Sequence, residues 1–216
     1  MPRPDPAPRI FAPAPVRGGP ASTADGQRSR DRILQAAVDL ITEAGIDQVR
    51  IAEIARRAGM SSGQLMYYFT GKEHILLETL AWLDHQDVVQ TRAALARVTG
   101  AWRQLERFIG LYLPADATHA SWILWLEVWA RAPHNRQVSQ FLEDLLAPWR
   151  ETLAAIVDLG VEEGVFAAPA SVDDFTLRFA ALLDGLAILR LRQHQPSRKR
   201  LIELALTSAR AELALR

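Results

Sequence analysis

The chain has 216 residues, a mass of 24.0 kDa and a hydrophobic fraction of 49%, which is enough for a sizeable core in one or two domains. Its 25 basic and 25 acidic side chains cancel, which disfavours a general nucleic-acid coat, and the absence of cysteine excludes disulfides and thiolate metal sites. No apolar run is long enough for a membrane span and prolines and arginines interrupt the N-terminal segment, so we expect a soluble cytoplasmic protein.

The first 26 residues are rich in proline, alanine and glycine and have no helical or strand period. We therefore predict a disordered tail over residues 1–26. Its arginines at positions 3, 9 and 17 carry the charge that DNA phosphates attract. An extended tail without a partner is the simpler interpretation.

An amphipathic helix follows the tail. Its apolar stripe predicts a helix over residues 28–44 that ends at Gly45, and the stripe contains Ile33, Leu34, Ala37, Leu40 and Ile41. Arg28, Arg30 and Arg32 occupy the predicted first turn, where positive charge opposes the helix dipole. A DNA phosphate nearby would relieve that cost, and a solvated face is the alternative.

Residues 51–72 contain two short helices joined by a tight turn. Apolar residues at helical spacing predict the first helix over residues 51–58, and Gly59 suits the left-handed conformation at its end. Ser61 and Ser62 offer side-chain oxygens to cap a second helix from about residue 63 to residue 69. This pattern is typical of a helix-turn-helix, which sets its second helix into the DNA major groove.

The second short helix has an apolar and a polar side. We expect Leu65, Met66 and Phe69 to anchor it in the core. The outward-facing side chains are then Ser62, Gln64, Tyr67 and Tyr68. Their hydroxyl and amide groups suit DNA base edges and phosphates.

The segment IAEIARRAGMSSGQLMYYFTGKEHIL resembles the operator-binding segment of the TetR family of bacterial regulators. The matching positions are Ile54, Ala55, Ala58, Gly59, Ser61, Gly63, Tyr68, Phe69 and Lys72. The preceding RDRILQAAVDLITEAG resembles the first helix of that family. The resemblance implies an all-α fold of about nine helices, with a three-helix helix-turn-helix DNA-binding domain and a larger helical ligand-binding and dimerisation domain.

The DNA contacts that the resemblance and the residue chemistry together predict are Arg28, Arg50, Ser61, Ser62, Gly63, Gln64, Tyr67, Tyr68 and Lys72. Two positions depart from the family pattern. Arg50 stands where threonine usually caps the next helix, so we expect a cap weaker by about 1 kcal/mol and a cation that still reaches phosphate. Met66 stands where tyrosine is common, so the phosphate contact passes to Tyr67 or is lost.

The remainder of the chain reads as a series of helices. Asp116 or Thr118 is predicted to cap one of them, Pro148 to kink or break another, and Ser171 to cap a third. The predicted ranges are 72–95, 101–113, from the cap to 132, 135–163, 171–193 and 198–215. HASWILWLEVWARAPHNRQV, GVEEG and LLDGLAIL in this half resemble the C-terminal domain of the BetI-type branch, so the resemblances together cover about residues 28–212.

A heavy load of tryptophan suggests an effector site in the C-terminal half. Trp122, Trp125 and Trp129 share one helical face, with Glu127 beside them. Adding Trp102, Trp149 and Asp184 gives the predicted ligand-binding set. Indole faces with a carboxylate suit a cationic or aromatic effector. The alternatives are that the tryptophans are ordinary core and that Glu127 faces solvent.

Two late helices carry long apolar surfaces. Docking of this pair on a second copy would form a four-helix dimer interface, for which we predict Leu182, Leu186, Leu189, Leu201, Leu204 and Ala205. Packing within one chain is the alternative. We favour the dimer because one helix-turn-helix reads few bases and two-fold pairing doubles the contacts.

These features favour a homodimeric repressor that binds a palindromic operator and is released by a small molecule. Its division is a tail (1–26), a DNA-binding domain (27–72) and a ligand-binding and dimerisation domain (73–216), with net charge +3 over residues 1–72 and −3 beyond. An all-α enzyme is disfavoured because the five histidines are scattered without a metal-binding pattern, so no metal or cofactor is expected. An architectural DNA-binding protein without a ligand is also disfavoured, because two-thirds of the chain would then have no function.

Overall fold

The computed structural model describes residues 24–192 and 196–214, and its regular structure in these ranges is entirely helical. Residues 1–23, which contain the three arginines of the predicted tail, lie outside the described residues. The described chain forms nine α-helices and a short 3-10 helix at Ala132–His134, so the predicted all-α class is confirmed. The helices are α1 (Ala24–Ala44), α2 (Ile51–Arg57), α3 (Ser62–Tyr68), α4 (Lys72–Leu95), α5 (Ala101–Tyr112), α6 (Ala120–Trp129), α7 (Arg136–Glu162), α8 (Val172–Leu191) and α9 (Arg198–Leu213).

The helices gather into two compact units. Of the described residues, the first unit contains residues 24–86 together with Ala120–Leu142, and the second contains Asp87–His119 together with the described residues from Glu143 onward. Both α4 and α7 therefore contribute to each unit. This division by compactness differs from the predicted functional boundary at residue 72, which stays a prediction.

The first unit is built on α1, which packs against α2 and α6, while α2 packs against α3. The predicted stripe of α1 is buried except for the half-buried Leu40. Ile54, Leu65, Phe69 and Ile75 complete the core from the helices that follow. Removing these side chains from water is the main force that holds the short α2 and α3 in place.

The second unit is built around α5, which packs against α8 and α9, and α8 packs against α9. Leu105, Phe108 and Ile109 are the buried face of α5. Phe175 and Phe179 stack one turn apart in α8, with ring centroids 5.4 Å apart.

The start of α1 differs from the prediction. The helix begins at Ala24 rather than at residue 28, with Asp25 favourably placed in the first turn. The arginines thus lie inside the helix, and the dipole argument for a nearby phosphate is wrong. Arg28 pairs with Asp25, and Arg30 forms a nearly buried ion pair with Glu78 of α4.

The predicted break at Pro148 and the predicted cap before α6 are wrong, and the predicted cap at Ser171 is confirmed. Helix α7 continues through Pro148, whose carbonyl accepts a hydrogen bond from Thr152 Oγ1 at 2.7 Å. The Asp116 carboxylate accepts the Thr118 backbone N–H at 2.8 Å in the loop before α6, so neither residue caps that helix. Ser171 Oγ does cap α8, accepting the Asp174 N–H at 3.1 Å.

Candidate nucleic-acid interface and effector site

The turn between α2 and α3 is made tight by Gly59. Its φ of +73° lies in the left-handed region, which favours glycine, and it lets the Met60 N–H reach the Ala55 carbonyl at 2.9 Å. The chain therefore reverses within a few residues and starts α3 at Ser62. This is the helix-turn-helix geometry that the sequence predicts.

The start of α3 is stabilised by a reciprocal pair of hydrogen bonds. Ser61 Oγ accepts the Gln64 N–H at 3.2 Å, and Gln64 Oε1 accepts the Ser61 N–H at 2.8 Å. This capping box satisfies two backbone donors that would otherwise lack partners. Both predicted contact residues thus also hold the start of the helix.

The exposed side of α3 is referred to below as the reading face, and it consists of Ser62, Gly63, Gln64, Met66 and Tyr67. Leu65 and Phe69, one turn apart, are buried as predicted. Met66 is 43% exposed and Tyr67 54% exposed, so the prediction that Met66 anchors the helix is wrong. Met66 lies about 100° around the helix from Leu65, and it adds an apolar group of the kind that contacts thymine methyls.

Four more of the predicted DNA contacts lie outside the reading face, namely Tyr68 and the three cations Arg28, Arg50 and Lys72. Tyr68 is half-buried, and its ring packs edge-on against Tyr67 with centroids 5.8 Å apart. Lys72 Nζ donates to the Asp47 carbonyl at 3.0 Å, while Arg28 and Arg50 are exposed.

The start of α2 shows how the chain compensates for its unusual cap. A guanidinium has no acceptor, as expected for Arg50, but the backbone N–H of Arg50 donates to Glu53 Oε2 at 2.9 Å. At the other end of α2, Arg57 makes two hydrogen bonds to the Glu43 carboxylate at 3.1 and 3.2 Å. These hydrogen bonds and the attraction to Glu43 raise the pKa of Arg57 and tie α2 to α1.

His74 connects the end of α3 to α4. Its Nδ1 accepts the Thr70 N–H at 3.1 Å, and its Nε2 lies 3.7 Å from Glu78 Oε1. Burial lowers the pKa of His74, and the positive charge of Arg30 lowers it further. The imidazole is therefore held in its neutral form, as the hydrogen bond from Thr70 requires.

In the second unit, one carboxylate accepts a hydrogen bond from a tyrosine whose ring packs with other aromatic rings. The Tyr112 hydroxyl donates to Asp184 Oδ1 at 2.6 Å, and the Trp149 ring lies edge-on to the Tyr112 ring at 5.2 Å. Phe108 completes this aromatic–acid cluster, with ring centroids 5.8 Å from Tyr112 and 6.2 Å from Trp149. Burial raises the pKa of Asp184, and the hydrogen bond from Tyr112 partly opposes that rise.

Six of the seven predicted ligand-binding residues fall into three groups. Trp122, Trp125 and Trp129 pack on one another in the first unit, with centroids 6.1 Å (Trp122 to Trp129) and 5.5 Å (Trp125 to Trp129) apart. Trp102 packs against Phe166 at 4.6 Å, and the Arg210 guanidinium lies 5.8 Å from its ring. Trp149 and Asp184 meet through Tyr112.

Two points of the ligand prediction change in this arrangement. Phe108 and Tyr112 were not anticipated, because their spacing of four residues on an apolar stripe is also that of ordinary core. The Glu127 carboxylate accepts the Ile46 N–H at 3.2 Å and pairs with Arg131 at 3.1 Å. It therefore neither points freely to solvent nor joins the aromatic–acid cluster.

The predicted dimer residues divide by exposure within one chain. Leu186, Leu201 and Ala205 are buried within their own chain, which agrees with the alternative that these residues pack inside one subunit. Leu182 and Leu189 are half-buried, and Leu204 is 36% exposed. Leu177 and Ile188 of α8 add exposed apolar surface that the sequence did not single out.

Comparison with known proteins identifies the family to which these helices belong. Residues 33–79 match the model of bacterial regulatory proteins of the tetR family, and residues 101–214 match that of the C-terminal domain of BetI-type transcriptional repressors. The chain belongs to the TetR family. It is a BetI-type, DNA-binding transcriptional regulator, and the prediction of a regulator rather than an enzyme is confirmed.

Relatives with known names or structures agree with this assignment. The HTH-type transcriptional regulator BetI of Cronobacter sakazakii is 30% identical over 77% of this chain and 81% of its own. BetI of Klebsiella pneumoniae is 28% identical over 78% and 94%. A Saccharomonospora viridis protein, described as a transcriptional regulator and solved in complex with choline, is 29% identical, with TM-score 0.78 over 88% of this chain and all of that one.

A TetR-family protein from Rhodococcus sp. shares the fold, at TM-score 0.74 and 21% identity over 87% of this chain and 100% of its own. Within residues 24–192 and 196–214, no helix combines the length and apolar character that a bilayer-spanning segment needs. Over the same residues, histidine, aspartate and glutamate form no cluster suited to a metal ion.

Proposed function

We propose that this TetR-family regulator is a homodimeric repressor that binds a palindromic operator and is released by a small organic cation. Operator binding is supported above all by the reading face of α3. This face is an exposed set of polar, aromatic and apolar side chains on a capped helix that Leu65 and Phe69 hold in the core. The regulator acts in the cytoplasm, where bacterial DNA lies. Gln64 is the residue best suited to a base edge, because a glutamine amide pairs with adenine in two hydrogen bonds and Gln64 Oε1 keeps a second lone pair while it accepts the Ser61 N–H.

The dimer is supported by the apolar surface that α8 and α9 leave exposed. Leu177 is 56% exposed, Ile188 38% and Leu204 36%. A two-fold dimer covers such surface with the same patch of a second copy. It also places two α3 helices for two half-sites, which is why a symmetric operator follows from the dimer.

The effector class follows from the aromatic–acid cluster. Asp184 supplies a negative charge, while Tyr112 and Trp149 supply the ring faces that attract cations. A quaternary ammonium group has no N–H to donate, so it leaves the hydrogen bond from Tyr112 to Asp184 intact. The S. viridis relative was solved with choline, a cation of this kind, and that supports the same class here.

Release is a shift between two populations of the dimer. The effector binds more tightly to the state whose two α3 helices do not match successive major grooves. For a 100-fold loss of operator affinity, the ratio of effector affinities for the two states, multiplied over the two sites of a dimer, must reach about 100, which is about tenfold at each site.

The test is a gel-shift titration of the full-length protein on an operator selected from random DNA. We expect choline chloride to release the operator, while the same concentration of sodium chloride leaves it bound. Asp184→Asn should bind the operator as before but need at least tenfold more choline for release. The substitution keeps an acceptor for the Tyr112 hydroxyl and leaves the aromatic rings in place, but it removes the negative charge. Asp158→Asn, which changes an exposed acid of α7, is the matched control. Equal choline sensitivity of wild type and Asp184→Asn would refute this site.

A further inference from the structure

Glu127 of α6 holds the turn that leads into the helix-turn-helix. Residues 45–50 connect α1 to α2, and Ile46 and Val49 fix this turn in the core with 2% and 3% exposure. Glu127 Oε1 accepts the Ile46 N–H at 3.2 Å, although the two residues are 81 positions apart. A backbone N–H bonded to a carboxylate is a charge-assisted contact, stronger than one between neutral groups.

The carboxylate is itself held in place by a residue just beyond the end of α6. Arg131, one turn later, donates from Nη1 to Glu127 Oε2 at 3.1 Å. Its Nη2 lies 3.5 Å from the Asp47 carboxylate, which is 89% exposed and therefore contributes little energy. The side chains of Glu127 and Arg131 are only 25% and 27% exposed, so water competes weakly for their pairing.

Gly45 makes room for this contact. Its φ is +75°, and a Cβ at this position would lie 3.3 Å from Glu127 Oε1. The turn is held from a second direction by Lys72, the first residue of α4, which donates to the Asp47 carbonyl at 3.0 Å. Backbone groups of two consecutive turn residues are thus fixed by α6 and by α4.

We propose that Glu127 is a positioning residue for operator binding, because its carboxylate holds the α1–α2 turn and so fixes the orientation in which α2 and α3 meet DNA. The Glu127 carboxylate bonds to the turn and to Arg131, so the residue acts on the reading face through the turn and α2. The inference rests on the DNA-binding function and is independent of the effector. It gives α6 a role in operator affinity that its tryptophans alone would not suggest.

The experiment compares Glu127→Ala, Glu127→Asp and Glu127→Gln with wild type in the full-length protein. The alanine variant removes the acceptor, and the aspartate variant keeps the charge but is one methylene too short for Ile46. The glutamine variant keeps a neutral acceptor. Glu143→Ala, which removes an exposed partner of Arg150 in α7, is the matched control.

Three readouts separate positioning from folding. Operator affinity is measured on a series of duplexes whose half-sites are moved apart one base pair at a time. Hydrogen exchange reports on a peptide that covers residues 45–50, and thermal unfolding reports on stability. We expect Glu127→Ala and Glu127→Asp to bind the wild-type operator about tenfold more weakly, to discriminate less between spacings and to exchange faster over residues 45–50. Glu127→Gln should stay within about threefold of wild type, and Glu143→Ala should be unchanged.

The proposal is overturned if Glu127→Ala or Glu127→Asp retains wild-type affinity and spacing preference. It is also overturned if every variant loses affinity only in proportion to its thermal stability. If Glu127→Ala does not fold, Glu127→Asp decides the question. A wild-type protein that bound no duplex would instead refute operator binding itself. Faster exchange at residues 45–50 in Glu127→Asp would then still show that the Glu127 carboxylate holds the turn.

Discussion

The Tyr112 hydroxyl donates a 2.6 Å hydrogen bond to Asp184 Oδ1, which joins two residues 72 positions apart in the second unit. Burial makes the ionised carboxylate costly, whereas the hydroxyl of Tyr112 favours it. The balance leaves the pKa of Asp184 above its ordinary value of 3.8. A cation beside this carboxylate would favour the ionised form, so effector binding and proton release are coupled.

The response to choline should therefore depend on pH. Protonation of Asp184 removes the attraction for a cation, so the choline concentration that half-releases the operator should rise as the pH is lowered from neutrality through the raised pKa. In Asp184→Asn this dependence should be absent. Calorimetric titration in two buffers of different ionisation enthalpy measures the protons released by binding. A wild-type release curve that does not move with pH would contradict the role of Asp184.

The same acid gives a prediction about stability. Because its pKa is raised on folding, Asp184 contributes stability that is present below pH 3.8 and is lost as the pH rises through the folded-state value. Asp184→Asn should thus unfold in urea at the same or a higher midpoint than wild type at neutral pH, with the advantage shrinking toward acidic pH. A variant markedly less stable at neutral pH would show that the charge is not costly.

The cap of α3 can be tested against an equivalent cap elsewhere. Ser61→Ala and Ser171→Ala each remove a side-chain oxygen that accepts a helix N–H, at 3.2 Å in α3 and 3.1 Å in α8. Each should lower the free energy of unfolding by about 1 kcal/mol. Only Ser61→Ala should weaken operator binding, by about fivefold, because only α3 carries the reading face. Equal loss of operator affinity in both variants would contradict a specific role of α3.

Lys72 and Lys199 offer a comparison of the chain's two lysines. Lys72 is expected to reach phosphate from the start of α4, whereas Lys199 is an exposed residue of α9. Lys72→Ala should weaken binding to all duplexes alike and reduce the salt slope of log affinity by about 1. Lys199→Ala should leave both quantities unchanged. An unaltered salt slope for Lys72→Ala would remove Lys72 from the phosphate contacts.

His74 should make the stability of the DNA-binding helices sensitive to acid. Its pKa is lowered from 6.5 by burial and by Arg30, so its contribution is fully present above pH 6.5 and is lost as the pH falls through the folded-state value. The difference in unfolding free energy between wild type and His74→Gln should therefore shrink below pH 6.5. Urea unfolding at several pH values measures it, and a constant difference would contradict the neutral, buried imidazole.

The sequence predicted local features well because local chemistry decides them. The left-handed turn at Gly59, the caps at Ser61 and Ser171 and the buried pair Leu65 and Phe69 each depend on residues within a few positions. It failed where tertiary packing decides. Pro148 lies inside an unbroken helix, although proline lacks an N–H.

The contacts that organise the candidate sites could not be read from spacing. Glu127 bonds to Ile46, 81 positions away, and Tyr112 bonds to Asp184, 72 positions away. Such pairings follow from how the helices pack, which periodicity does not specify. Periodicity identifies Phe108 and Tyr112 only as apolar-face residues, whereas the structure adds their acid partner.

The most direct test of the central claim, that two copies present α3 to DNA symmetrically, is selection of bound duplexes from a random pool with the full-length protein. We predict enrichment of one palindromic sequence whose half-sites are about one helical turn apart, bound by a dimer in light scattering. Gln64→Ala should relax the preference at one position in each half-site. Enrichment of no sequence, or of a single asymmetric site bound by one chain, would contradict the account.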